Sequence, residues 1–190
     1  MAMEDSARTA KGSTEAVEAP RVLIVQPNRS YLSVLARRIA EGGYRVATAE
    51  CTQSALAELH RVKVDLILSE LRMPRSGGVE LVRMVRHDPV HRETPIFLLT
   101  GKSDALGAVQ AYRSGADTVI AKPFHFEVLI ARIGREIERS RSLAKLLNDN
   151  AALDARVVGR AIELGEMRDR WLASEAELRR PKQIAGDAAA

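Results

Sequence analysis

The sequence predicts an α/β fold, a five-stranded parallel sheet with helices on both faces, extended by one long C-terminal helix. Three observations carry this. Five short, mainly apolar runs lie between residues 22 and 121, each of strand length and bounded by turn residues. Each run is followed by apolar residues at helical spacing, and strand–helix alternation of this kind demands parallel pairing through crossover helices, with both sheet faces covered. Beyond Ser140 the helical pattern continues for about 40 residues without a proline until Pro181, too short a stretch to close a core alone.

Taken in order, residues 1–20 are rich in Ala, Ser, Thr, Glu and Lys with no apolar period, and are expected to be a disordered lead-in closed by Pro20. Val22-Leu23-Ile24-Val25 is the first strand and Gln26-Pro27-Asn28 its exit. Tyr31, Leu32, Leu35 and Ile39 share one face of a helix over residues 30–40, which Gly42-Gly43 stops. Residues 44–49 form the second strand, and Thr52–Arg61 is a helix carrying Ala55, Leu56 and Leu59. The third strand opens at Val64-Asp65-Leu66-Ile67-Leu68 and empties past Glu70 into a loop marked by Pro74, Gly77 and Gly78. Val79, Leu81, Val82 and Val85 mark a third helix that ends near His87-Asp88-Pro89, because the residue before a proline is pushed out of the α region. Residues 95–100 are the fourth strand, 104–113 the fourth helix and 118–121 the fifth strand, with Lys122-Pro123 at its exit. The fifth helix starts around His125 and sets Val128, Leu129, Ile130, Ile133 and Ile137 along its core face. The expected organisation is a disordered segment at 1–20, an α/β domain at 21–138, a helical extension at 139–180 and a disordered tail at 181–190.

Composition narrows the function classes. The net charge of +4 is small and the basic residues are interleaved with acids, which disfavours a nucleic-acid surface. The single cysteine, Cys51, excludes an internal disulfide and a cysteine-based zinc site, and is expected as a buried thiol. No apolar run is long enough to span a bilayer and no signal-peptide core is present, so a cytoplasmic location is expected.

In an open parallel sheet, chemistry gathers at the carboxyl ends of the strands. Those ends bring Gln26, Glu70, Thr100 and Lys122 toward one edge. Glu70, at the mouth of the central strand, is the functional candidate; a solvated loop carboxylate is the competing reading.

Residues 21–138 resemble the receiver domain of bacterial two-component response regulators, the CheY-like family. The matching pieces are the first strand, Asp65-Leu66-Ile67-Leu68 with Met73-Pro74 and Gly78-Val79-Glu80-Leu81, Thr100 at a strand end, and Gly115-Ala116-Asp117 followed by Lys122-Pro123-Phe124. The resemblance implies a flavodoxin-like sheet of order 2-1-3-4-5 and a role in signal relay. It also implies a phosphoacceptor Asp where this chain has Glu70, and two acidic Mg²⁺ ligands where it has Gln26 and Pro27. A hard dication needs anionic oxygens, which neither residue supplies, so no Mg²⁺ and no other cofactor is expected. Phosphoryl transfer depends on positioning and on neutralising developing charge, and Glu70 is one methylene longer than Asp, so phosphorylation by the usual route is not expected. Thr100 and Lys122 match the family residues that contact the phosphoryl oxygens. Lys122 is therefore expected to pair with Glu70 and lock the domain in one state, or else to serve only as scaffold. Arg72 either replaces the missing metal charge or faces solvent. The aromatic switch of the family is Val119 here.

Read as heptads, the C-terminal helix places Leu143, Asn150, Val157, Leu164, Trp171 and Leu178 at position a, and Leu146, Leu153, Arg160, Met167 and Ser174 at position d. A lone Asn at a favours an in-register pair of strands. Across a parallel dimer, Glu163 with Arg168 and Arg170 with Glu175 are complementary, whereas Asp149 with Asp154 is repulsive. Gly159 and Gly165 each weaken the helix by about 1 kcal/mol relative to Ala. The alternatives are a helix folded back on the receiver, or a hairpin broken near Gly159.

The expected function is a non-enzymatic signalling adaptor that dimerises through this helix and binds a protein partner through the face of its fourth helix, fifth strand and fifth helix. No helix-turn-helix pattern and no Ser/His/Asp or Cys/His constellation follows, so neither a DNA-binding domain nor catalysis is expected. Two alternatives stand beside it: a regulator still phosphorylated by a histidine kinase, and a cyclic dinucleotide sensor using Arg72, Arg75 and Arg113.

Overall fold

The computed structural model describes residues 18–74 and 76–178. The terminal segments expected to be disordered lie outside the described residues, apart from residues 18–20, and so does Arg75. In chain order the elements are β1 (Arg21–Val25), α1 (Arg29–Glu41), β2 (Arg45–Ala49), α2 (Thr52–Arg61), β3 (Leu66–Glu70), α3 (Gly78–His87), β4 (Ile96–Gly101), α4 (Ala105–Arg113), β5 (Thr118–Lys122) and α5 (Phe126–Leu178). All strand pairs are parallel, as the strand–helix alternation predicts, and the sheet order is β2-β1-β3-β4-β5, as the resemblance implies.

Period-two alternation in the strands explains the layering. Leu23, Val25, Ile67, Ile96 and Leu98 point to one face, where they pack with Ala55 and Leu59 of α2, the apolar stripe of α3 and Ala111 of α4. Val22, Ile24, Leu66, Leu68, Phe97 and Leu99 point to the other, against Leu32, Leu35 and Ile39 of α1 and Leu129, Ile133 and Ile137 of α5. Every residue of β3 is buried, as the central strand of a doubly covered sheet must be. Each fully buried Leu or Ile contributes about 1.5–3 kcal/mol of transfer free energy.

Element ends follow local chemistry. Asn28 caps α1 by accepting the Tyr31 N–H at 2.9 Å, which starts that helix at Arg29. Asp65 lies outside β3, because its carboxylate accepts the Arg21 N–H at 2.8 Å and ties the entries of β1 and β3 together. Cys51 corrects the expected buried thiol. It is exposed because it stands at the N-cap of α2, outside the packed turns, with its Sγ 3.3 Å from the Ser54 hydroxyl.

The end of the sheet where strands begin is stitched by Arg86. Its guanidinium donates to the carbonyls of Arg92 (2.7 Å), Thr94 (2.8 Å) and Gly115 (2.9 Å), and to the Asp117 carboxylate (2.7 Å). Asp117 in turn accepts the Ile96 N–H at the start of β4.

The chain divides into two units, one ending at Ser140 and the other starting at Arg141. α5 is a single helix of 53 residues and passes Gly159 and Gly165 unbroken, so the hairpin alternative does not hold. Among the described residues, no helix is long and apolar enough to cross a membrane.

Candidate functional site

Strand register sets the site. Val25 is level with Ser69, Glu70 with Leu99, and Gly101 with Lys122, so the exits of β1, β3 and β5 open on the same sheet edge. The loop after β3 folds tightly back: the Gly78 N–H donates to the Leu71 carbonyl at 2.9 Å, and a Cβ at Gly78 would stand 2.6 Å from the Glu70 carbonyl oxygen. Only glycine fits there. At the β5 exit the Lys122–Pro123 peptide is cis.

Glu70 is nearly buried, and its Oε2 is held from two sides. The Gln26 side-chain amide donates to it at 2.8 Å, and the Lys122 ammonium donates to the same oxygen as an ion pair. Gln26 is fixed by its other end, where Oε1 accepts the Asn28 N–H at 3.1 Å. Lys122 Nζ also lies 4.9 Å from the centroid of the Tyr31 ring, a cation–π contact. Burial, and secondarily the negative charge of Glu70, hold the Tyr31 hydroxyl above the usual phenol range. These groups line a cavity of about 740 Å³ together with Arg72, Pro123, Phe124 and Phe126.

Thr100 does not join them. It is buried, does not line this cavity, and directs its hydroxyl to the Gly101 carbonyl at 3.5 Å. Proximity of strand ends brings it near the edge, but its side chain is not on the carboxylate. Pro27 is half-buried and offers no side-chain ligand. Arg72 faces solvent and is not the second cation on Glu70. Its Nε and Nη2 fork the Asp104 carboxylate at 2.7 and 2.8 Å. Asp104 caps α4 by accepting the Gly107 N–H at 3.0 Å, and hydrogen bonding from Arg72 holds its carboxyl below the usual range. The oxygen donors of the cavity are therefore one carboxylate engaged by Lys122, the neutral amides of Gln26 and Asn28, and a phenol. Mg²⁺ takes up anionic oxygens, and that set does not fit it.

Sequence reasoning missed the aromatic wall. Phe124 and Phe126 meet edge to face with ring centroids 5.7 Å apart, and Tyr31 was visible only as a core-facing helix position. The Asp104 partner of Arg72 was also missed, although an Asp opening a helix is a capping signal.

Val119 is half-buried and donates its N–H to the Tyr112 hydroxyl at 3.2 Å. It lines a second concavity of about 260 Å³ with Phe124, His125, Val128, Leu129 and Arg132. Beside it α4 exposes Val109, Tyr112 and Leu106, the last at 80%. In the second unit, Leu143, Leu146, Leu153, Val157, Leu164, Met167 and Trp171 are all exposed, as is Asn150.

Comparison with known proteins agrees with this architecture. The response regulator receiver domain model matches residues 22–134, more than half of the chain. A probable cyclic di-GMP phosphodiesterase of Vibrio cholerae is 31% identical over 173 residues, covering 90% of this chain and 39% of that protein. The phosphate regulon transcriptional regulatory protein PhoB of Pseudomonas aeruginosa is 34% identical over 119 residues, covering 63% of this chain and 52% of its own length. The chain thus spans about half the length, or less, of these curated relatives. Among solved structures, the chemotaxis response regulator CheY4 of Vibrio cholerae superposes with a TM-score of 0.58 at 30% identity, covering 62% of this chain and 98% of that one. The receiver domain of a signal transduction histidine kinase from Syntrophus aciditrophicus gives 0.60 at 31% identity, covering 63% and 91%. The chain belongs to the response regulator receiver domain family of two-component signalling.

Proposed function

We propose that this receiver works as a phosphorylation-independent, non-enzymatic adaptor that binds a protein partner and pairs with a second copy through α5. The observation that carries the reading is the engagement of Glu70 by Lys122 and Gln26. In this reading the family's Lys is spent on a resident carboxylate in place of an incoming phosphoryl group, and Mg²⁺ has no place in the cavity. The domain then stays in one state, and its output surface is the α4–β5–α5 face, where Leu106, Val109, Tyr112 and Val128 are exposed. Dimerisation through the exposed seam of α5 sets two such faces in one particle.

The test is incubation of the full chain with Mg²⁺ and acetyl phosphate, followed by intact mass measurement. No phosphoryl adduct is expected on the chain or on Glu70→Asp, since the metal ligands are still missing. An Mg²⁺-dependent adduct on the native chain returns it to the histidine-kinase-driven regulators. Light scattering of the full chain, and of a version ending after Arg141, is expected to give a dimer and a monomer.

A second reading rests on the alignment with the probable cyclic di-GMP phosphodiesterase, which spans 173 residues and so extends past the receiver match that ends at 134. Here the receiver and helix form the regulatory part of a system that handles cyclic di-GMP. Thermal shift with cyclic di-GMP separates ligand sensing from the adaptor role, and a hydrolysis assay on the chain alone is expected to show no turnover.

A further inference from the structure

We propose that His60, Asp88 and His91 form a binding site for a transition-metal dication of the Zn²⁺ class. Each offers one ligand atom, and these atoms lie within 4.8 Å of one another. Two imidazoles and a carboxylate are the donor set of three-ligand zinc sites, with a fourth position left to water or an added ligand. A tetrahedral ion with bonds of about 2.0–2.1 Å holds its ligand atoms roughly 3.3 Å apart, so the three draw together from this spacing when the ion binds.

The scaffold arranges the three ligands from two directions. His60 is exposed in the last turn of α2. Asp88 and His91 are half-buried and come from the turn that follows α3. That turn is wound by its own backbone bonds: the N–H groups of His91 and Arg92 both donate to the Asp88 carbonyl, at 3.2 and 2.8 Å. Arg86 clamps its far end through the carbonyls of Arg92 and Thr94. Asp88 Oδ1 accepts the Val90 N–H at 2.8 Å, which orients the carboxylate and leaves Oδ2 for a ligand. The rings of His60 and His91 meet edge-on with centroids 5.8 Å apart. No hydrogen bond engages either imidazole among the described residues, so their nitrogens are available. Pre-positioned ligands on packed elements are what separates a metal site from a chance surface cluster.

The place in the fold gives the site its consequence. α2 runs from the exit of β2 to the entry of β3, and the 88–95 turn leads into β4, so the cluster lies at the strand-entry end, away from the Glu70 cavity. A bound ion would clip the end of α2 to the β4 entry, and stabilise the receiver without touching Glu70 or Lys122.

The experiment uses the full-length chain stripped of metal, and titrates it with Zn²⁺ alone in competition with a chromophoric chelator. One equivalent is expected to bind, and to raise the melting temperature. His60→Ala and His91→Ala are each expected to weaken binding at least tenfold, and Asp88→Asn, which keeps an oxygen for Val90, somewhat less. His87→Ala and His125→Ala are expected to bind as the native chain does. Co²⁺ should give the intense visible absorption of a tetrahedral site, absent in His60→Ala. His60 is exposed on a helix end, so this variant remains informative if His91→Ala destabilises its turn. Three outcomes overturn the proposal: no saturable binding at micromolar Zn²⁺, binding unchanged in the His60 and His91 variants, or binding abolished by His125→Ala or Cys51→Ser instead.

Discussion

The two stretches of α5 have similar apolar content and opposite environments. Up to Ile137 the helix buries Leu129, Ile133 and Ile137 against the sheet at 3% exposure or less. From Leu143 onward, the same 3–4 residue spacing leaves Leu146, Leu153, Val157 and Leu164 more than half exposed. The first stretch draws its stability from the receiver core. The second leaves its apolar stripe uncovered, and in the proposed reading a second copy covers it. Periodicity therefore marks a helix in both stretches, and only burial distinguishes the core face from the exposed stripe.

The sharpest way to break this comparison is to truncate one residue in each stretch. Ile133→Ala is expected to cost the receiver about 2–5 kcal/mol, read from urea unfolding, because it leaves a cavity between α5 and the sheet. Leu153→Ala should leave receiver stability within about 0.5 kcal/mol and instead weaken self-association, read by light scattering. Equal losses of receiver stability from the two would show that the seam is packed on its own domain.

The next effect is at the cavity. Lys122→Ala leaves the Glu70 carboxylate nearly buried without its cation, and is expected to cost about 1–3 kcal/mol, discounted for the partly exposed lysine. Glu70→Gln combined with Lys122→Ala should cost less than the two single changes summed, because neither partner then remains to be stranded. Additive losses in that double-mutant cycle would mean that the pair does not couple, and would remove the basis of the locked state.

These cases show what could be read from the chain beforehand. The five strands, the helix spacing and the central place of β3 follow from apolar runs and turn residues, since a strand buried along its whole length belongs inside a doubly covered sheet, whereas the strand order comes from the resemblance to the receiver family. The Glu70–Lys122 pair follows too, because strand exits converge and opposite charges at one edge find each other. The aromatic wall and the Arg72–Asp104 fork do not, because they depend on which way side chains turn in the loops, and loop geometry leaves no periodic trace. Thr100 shows the limit of strand-end reasoning: it stands at the end of β4, yet its hydroxyl is directed to the Gly101 carbonyl and it does not line the cavity. The His60–Asp88–His91 cluster is equally silent, with its members separated by a whole strand and helix.

A smaller effect tests the seam itself. Asn150→Leu is expected to tighten self-association and to let the mass rise above that of a dimer, since an amide at position a of a paired helix restricts strand number. An unchanged mass and affinity would place Asn150 outside the paired surface and call for a different register.

The smallest effect separates the loop fork from the buried pair. Hydrogen bonding from Arg72, assisted by the Gly107 N–H, holds the Asp104 carboxyl below the ordinary carboxylate range. A depressed value means that the folded chain binds this proton less readily than the unfolded one. The fork thus favours the fold above the ordinary carboxylate range, and its contribution is lost as pH falls through the lowered value. Arg72→Ala should move the Asp104 midpoint, followed by NMR of its side-chain carboxyl, back up toward the ordinary range, and only partway because the Gly107 N–H remains. The Arg72 guanidinium is solvent-exposed, so the accompanying change in stability should fade in high salt, whereas the loss in Lys122→Ala should be less sensitive to it. An Asp104 midpoint that ignores Arg72 would reduce the fork to a surface contact, with the cap on α4 as the only role left for that carboxylate.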